Sequence, residues 1–308
     1  MMQAEAVAVM RKGPISQRTA LLSDGETEDE VVEFDSCRIK RDWESGEEGS
    51  LIGRGIIDEM ENEAQNLSFF SKLYTLTQML GILCVSLIGV WIAVFRGGFA
   101  WRSNPSKEFN WHPFLMVLGL VFLYANGALV YRGFRSERKK KLKIIHMLMH
   151  LGAFIFSVIG LVAVFDSHNL AQKPIANMYS LHSWLGLSVV ILFACQWVSG
   201  LLTFLFPGLR PSFRAAYLPV HQFFGLVIFM GAICASLLGL TEKAIFALNY
   251  GTGPKYSDFP SEGILVNVIG LLLLFFAGMV VYLTSNPHFR RQTTEDERPN
   301  YRRIVQNW

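Results

Sequence analysis

Six stretches of this chain lack Asp, Glu, Lys and Arg altogether: 73–95, 109–131, 144–165, 178–206, 217–240 and 263–285. About twenty apolar residues suffice to cross the ~30 Å hydrocarbon core of a bilayer. With 51% hydrophobic residues, the chain is also too apolar for an ordinary soluble protein of 308 residues. The pattern predicts an all-α, six-helix integral membrane protein. Some seventy largely polar residues precede the first stretch, which excludes a cleavable signal peptide. Cysteine is scarce, at 4 in all. Cys84, Cys195 and Cys234 fall inside apolar stretches, where a small polarizable side chain packs well, and Cys37 lies in the first polar segment. These positions form neither a disulfide framework nor a zinc or iron–sulfur spacing. No nucleophilic triad or acid–base pair is visible, and nothing marks a nucleic-acid partner.

The charge that remains is unevenly placed. The loops 132–143 and 207–216 with the C-terminal tail hold fourteen Lys or Arg, whereas the loops 96–108, 166–177 and 241–262 hold six. With six crossings, the positive-inside rule puts both termini in the cytosol. The run Arg138-Lys139-Lys140-Lys141 dominates this count and reads first as a stop-transfer patch for lipid headgroups.

Residues 1–72 form a separate regime, with sixteen Asp or Glu against eight Lys or Arg. The acidic segments 24–35 and 42–48 read as disordered. A short amphipathic helix is expected over 56–70. Glu47-Glu48-Gly49-Ser50-Leu51-Ile52 has the form of an acidic dileucine sorting signal, and Asn66-Leu67-Ser68 is a glycosylation sequon that this topology leaves in the cytosol.

Histidine in lipid is costly and marks function. His112, His146, His182 and His221 each lie about one turn inside a different apolar stretch. Threaded through the bilayer, His112 and His182 share the outer level, and His146 and His221 the inner one. With each ring ~5 Å inside its face, the levels stand roughly 20 Å apart. Single intramembrane histidines also serve as helix–helix hydrogen bonds. A proton relay wants staggered depths and accompanying carboxylates, which these stretches lack. Two level pairs on four consecutive helices favour two bis-histidine haem sites, a ligation suited to electron transfer. Glycines recur along the same helices, fitting both close helix packing and room for a flat porphyrin.

Asn110-Trp111-His112-Pro113, Ala128-Leu129-Val130-Tyr131-Arg132 with Arg135, and Tyr179-Ser180-Leu181-His182-Ser183-Trp184 stand in order across the core. Together they closely resemble the cytochrome b561 family of ascorbate-dependent transmembrane reductases. The resemblance covers residues 73–292 and leaves out the first seventy. Trp91, Arg96-Gly97-Gly98 and Trp101 look nearest to the animal secretory-vesicle branch, and Phe193-Ala194-Cys195-Gln196-Trp197 equally close to the lysosomal one.

The resemblance implies two haems b, the outer on His112 and His182 and the inner on His146 and His221. Arg132 and Lys139 match positions that hold haem propionates. Lys139, Lys143 and Arg214 match those that receive anionic ascorbate. Asn177, Met178, Tyr179 and Ser180 match the stretch before the outer ligand, and Glu242 and Arg290 match further haem contacts. Asp166 and His168 stand where the family has an acceptor-side carboxylate and imidazole. Ser167 replaces an Asn that some iron-reducing members carry. His150 supports the inner site without being a ligand, Lys140 and Lys141 face headgroups, and His288 is incidental. The implied activity carries electrons from cytosolic ascorbate to monodehydroascorbate or Fe(III) beyond the membrane. The implied setting is a homodimer in a secretory-vesicle, endosomal, lysosomal or plasma membrane. The implied layout is a cytosolic extension (1–72), a transmembrane core (73–292) and a cytosolic tail (293–308). A haem-free six-helix transporter or scaffold is the rival reading.

Overall fold

The structure, a computed structural model, describes residues 47–291 except Gly251, with side chains from Arg54 onward. The extension before residue 47, Cys37, the tail from 292 and the side chains of the dileucine-type motif lie outside the described residues. Among the described residues there are six long helices: α1 (Glu47–Phe95), α2 (Pro105–Gly133), α3 (Lys139–Asn169), α4 (Leu181–Phe204), α5 (Pro211–Asn249) and α6 (Ser261–Ser285). Each is long and apolar enough to cross a membrane, and among the described residues there is no strand. Residues Phe69–Gln292 form one compact unit.

Local chemistry sets the helix ends. Pro105 and Pro211 open α2 and α5, where a missing N–H is harmless. Asn104 Oδ1 caps α2 by accepting from the Lys107 N–H (3.2 Å), and Ser180 Oγ caps α4 by accepting from the Ser183 N–H (3.2 Å). Two helices run longer than the apolar stretches predict. The helix expected over 56–70, leading into the first span, is helical and runs into it without a break, because Glu, Ala, Met, Gln and Leu carry it without proline. The fifth helix continues from 240 to Asn249, and its buried Ala244 and Leu248 prolong the inward stripe. Glu242 and Lys243 are therefore helical residues.

Trp91, Phe193, Phe229, Phe276, Ile233, Ile269 and Leu273 fill the core. The outward faces carry large apolar side chains such as Val94, Leu192, Leu271 and Phe275, as lipid contact requires. Cys84 packs inside, but Cys195 and Cys234 face outward, so interior packing explains only the first. Helix α2 is irregular. It turns at Phe109 and Asn110, then widens to a π-helix over Val117–Leu123 before resuming at Tyr124. The wider turn rotates the remainder of α2 relative to a straight helix, which sets the facing of Tyr124 and Gly127.

One buried brace ties the end of α1 to the start of α6. Trp91 Nε1 donates to Glu262 Oε1 (2.9 Å), and the Arg96 guanidinium pairs with Glu262 Oε2. Beyond it Gly97 and Gly98 adopt φ of +76° and +80°, a region closed to most side chains. Asn110 Nδ2 then donates to the carbonyls of Arg96 (3.1 Å) and Gly98 (2.7 Å), fastening this turn to α2.

Candidate functional site

The four helices α2 to α5 each contribute one inward histidine ring to two facing pairs. His112 of α2 faces His182 of α4 with ring centroids 6.0 Å apart and planes at 85°. His146 of α3 faces His221 of α5 at 6.2 Å and 63°. Two imidazole nitrogens bound axially to one iron, at about 2 Å each, place their ring centroids roughly 6 Å apart. Both pairs therefore fit a single iron between them. Among the described residues no three His, Cys, Asp or Glu side chains gather as a metal site. A metal held by two imidazoles alone needs a macrocycle for its other ligands.

The rings are aimed by their outer nitrogens. His112 Nδ1 lies 3.1 Å from the Gly160 carbonyl on α3, His146 Nδ1 2.8 Å from that of Gly127 on α2, and His182 Nδ1 2.9 Å from that of Ala235 on α5. A carbonyl can only accept, so each of these nitrogens carries the proton. The Nε2 lone pair is then the one available to a metal. His221 differs, because its Nδ1 is buried without a partner. Its backbone is held instead, by Gln196 Nε2 donating to the His221 carbonyl, and its ring packs on Phe204 and Tyr217.

Glycine admits these rings. A Cβ at Gly200 would lie 2.8 Å from His221 Cε1, and one at Gly239 would lie 2.6 Å from His182 Cε1. At these positions the glycines give room to the imidazoles themselves. His150, buried one turn beyond His146, meets its ring edge-on at 4.4 Å and also packs on Tyr124 and Phe193.

At the His146 end the basic residues divide into two groups. Arg132 donates to the carbonyls of Thr284 and Asn286, closing the end of α6, and Arg135 donates to Phe289 O (2.7 Å). Arg290 is exposed and within electrostatic reach of Arg132. Lys139 and Arg214 stand likewise around Lys143, whose Nζ donates to Phe204 O (3.0 Å), and Phe204 is the ring that packs on His221. Lys140 and Lys141 are exposed, the latter paired with Glu137. His288 is exposed in the turn after α6.

At the His112 end the stretch before α4 gathers several expected residues. Asn177 Oδ1 lies 2.9 Å from His168 Nδ1, and Asn177 Nδ2 donates to Asn169 Oδ1. Met178 takes a left-handed conformation (φ 57°), and its carbonyl accepts from Trp184 Nε1. Ser180 Oγ reaches both Ser183 and Glu242 Oε2 (3.2 Å). Tyr179 points outward and is exposed. Asp166 is already engaged, in an ion pair with Arg102 (2.8 Å). Phe109 carries no signal in the sequence, being one more aromatic in an apolar stretch. Its ring lies beside His112 (6.1 Å) and parallel to His168 (6.4 Å, 9°), with Lys243 Nζ over it at 3.8 Å.

The family model for eukaryotic cytochrome b561 matches residues 111–247, a span that contains all four paired histidines. The chain is 47% identical over 221 residues to a transmembrane ascorbate-dependent reductase of Sus scrofa, covering 72% of this chain and 84% of that one. It is 45% identical over 221 residues to the human protein of the same name (72% and 85% covered). It is 44% identical over 220 residues to a plasma membrane ascorbate-dependent reductase of Xenopus tropicalis (71% and 76% covered). The paired histidines, the six spans and this likeness over most of the chain make it a member of the eukaryotic cytochrome b561 family.

Proposed function

We propose that this protein is a transmembrane oxidoreductase that takes single electrons from ascorbate on one side of a membrane and delivers them to an acceptor on the other. His112 and His182 hold one haem b, and His146 and His221 hold a second. Bound there, haem b would supply reversible one-electron chemistry, with these four imidazoles as its protein ligands. The observation that carries the reading is the pair of ring separations, 6.0 and 6.2 Å, with three of the four Nδ1 atoms held by carbonyls.

The chain's own residues do the rest. Ascorbate at neutral pH is a monoanion that gives up one electron and one proton. Lys139, Lys143 and Arg214 collect it at the His146 end by charge. Arg132, Lys139 and Arg290 at that end, and Asn177, Met178, Tyr179, Ser180 and Glu242 at the other, line the cofactor edges. Asp166 and His168 form the acceptor side, for monodehydroascorbate or Fe(III). The distribution of Lys and Arg puts the His146 end in the cytosol. The protein works as a homodimer in a secretory-vesicle, endosomal, lysosomal or plasma membrane.

Haem content tests the assignment. Purified protein should carry two haems b per chain that ascorbate reduces, and His112→Ala and His146→Ala should each lower the count to one. A colourless protein would leave the haem-free transporter or scaffold as the reading, and a variant that keeps both haems would break the pairing.

A further inference from the structure

Near the His112–His182 pair, Arg96 and Lys243 both stand by one carboxylate, that of Glu262. Both oxygens of Glu262 are taken, one by Trp91 Nε1 and one by Arg96. Arg96 keeps a second donor, Nε, buried without a partner. Lys243 stands within electrostatic reach of Arg96 and Glu262, yet makes no hydrogen bond or ion pair among the described residues. Its ammonium rests on the face of Phe109, 3.8 Å from the ring centroid. The same ring lies beside His112 and parallel to His168. Two cations thus share one carboxylate that is already saturated. A half-buried cation supported only by a ring face is poorly compensated. A small anion would supply what is missing.

We propose that Lys243 and the Arg96 Nε–H form an anion site, with Phe109 as its floor, beside the His112–His182 pair. The ligand is a singly charged oxygen anion of carboxylate or enolate type. Two sources share that chemistry: a propionate of the haem at that end, or an anionic electron acceptor. The inference rests on the two-haem reading, and a wild-type haem count below two exposes failure of that reading before any variant is made. Lys243 touches the anion and does not act through the histidines.

The experiment uses full-length, haem-loaded protein in detergent, with wild type, Lys243→Gln and Lys243→Arg compared. Two quantities are read: the midpoint potential of each haem, and the reoxidation rate by ferricyanide, an anion, against hexaammineruthenium(III), a cation. If the site takes the acceptor, Lys243→Gln slows ferricyanide about tenfold, the loss expected for one charge-assisted contact. Hexaammineruthenium is then not slowed, both potentials stay, and Lys243→Arg restores the rate. If the site takes a propionate, the potential at the His112 end alone falls and both acceptors respond together. A Lys243→Gln protein with full haem content, unchanged potentials and an unchanged ratio of the two rates overturns the proposal. That result would leave Lys243 facing lipid headgroups. Should Lys243→Gln not assemble, Arg96→Lys, which removes the orphaned Nε–H but keeps the charge, carries the same readouts.

Discussion

His146 Nδ1 lies 2.8 Å from the carbonyl oxygen of Gly127, on the neighbouring helix α2. The same glycine receives His150, since a Cβ there would stand 2.7 Å from His150 Nε2. One residue therefore orients the inward ring with its carbonyl and admits the next ring with its missing side chain. Gly127→Ala should disturb both. Overpacking of a tight site typically costs about 1–3 kcal/mol. We expect a lower thermal midpoint and loss or distortion of the haem at the His146 end only, read from resolved haem absorbance bands.

The other two ring-facing glycines lie at opposite ends. Gly200→Ala crowds His221, at 2.8 Å, and should weaken the His146-end haem. Gly239→Ala crowds His182, at 2.6 Å, and should weaken the other. Gly186, where an added Cβ meets nothing within 4 Å, is the control. Gly186→Ala should keep both haems at full occupancy.

Ser180 has two tasks, capping α4 and meeting Glu242 Oε2 at 3.2 Å. Removing an N-cap hydroxyl costs typically about 1 kcal/mol. Ser180→Ala should lower the melting temperature by a few degrees and weaken, without abolishing, haem retention at the His182 end. Unchanged haem retention in this variant would remove Ser180 from the cofactor edge.

Glu262 accepts from Trp91 and pairs with Arg96 in a buried setting. Breaking a buried pair from one side strands the other charge, at about 3–5 kcal/mol. Glu262→Ala should therefore destabilise far more than Glu262→Gln, whose amide oxygen still accepts from Trp91. Unfolding midpoints of the two variants, each compared with wild type, make the check.

Lys143 donates to the Phe204 carbonyl and has Lys139 and Arg214 near it. If this group collects ascorbate, Lys143→Ala should raise the apparent KM several-fold with haem content unchanged. Raising ionic strength towards ~0.15 M should slow wild-type reduction more than that of the variant, since screening acts on the same charges. Equal salt dependence in the two would remove Lys143 from the docking surface.

The paired histidines were legible as levels because depth in a bilayer follows from counting residues along a helix. The Arg96-Gly97-Gly98 and Asn110 motifs were visible only as a likeness; their physical sense, a left-handed turn fastened by the Asn110 amide, needed coordinates. Asp166 stands in the sequence only as a position on the acceptor side; its ion pair with Arg102, sixty-four residues away, is visible only in the fold. The longer α5 escaped a hydropathy reading because polar helix formers extend a helix past the apolar run that locates it.

The sequence by itself determined the six spans, the asymmetry of positive charge and which four helices carry an inward histidine. Those follow from transfer of side chains between water and lipid and from the rise per residue, both local properties. Only the tertiary structure decided the carbonyl that orients each ring, the glycines that admit them, and the lysine set on the face of Phe109. Those contacts join residues 48 positions apart for His112 and Gly160 and 171 apart for Trp91 and Glu262. At such separations no local propensity chooses the partner; it is chosen when helices pack and each buried donor must find an acceptor.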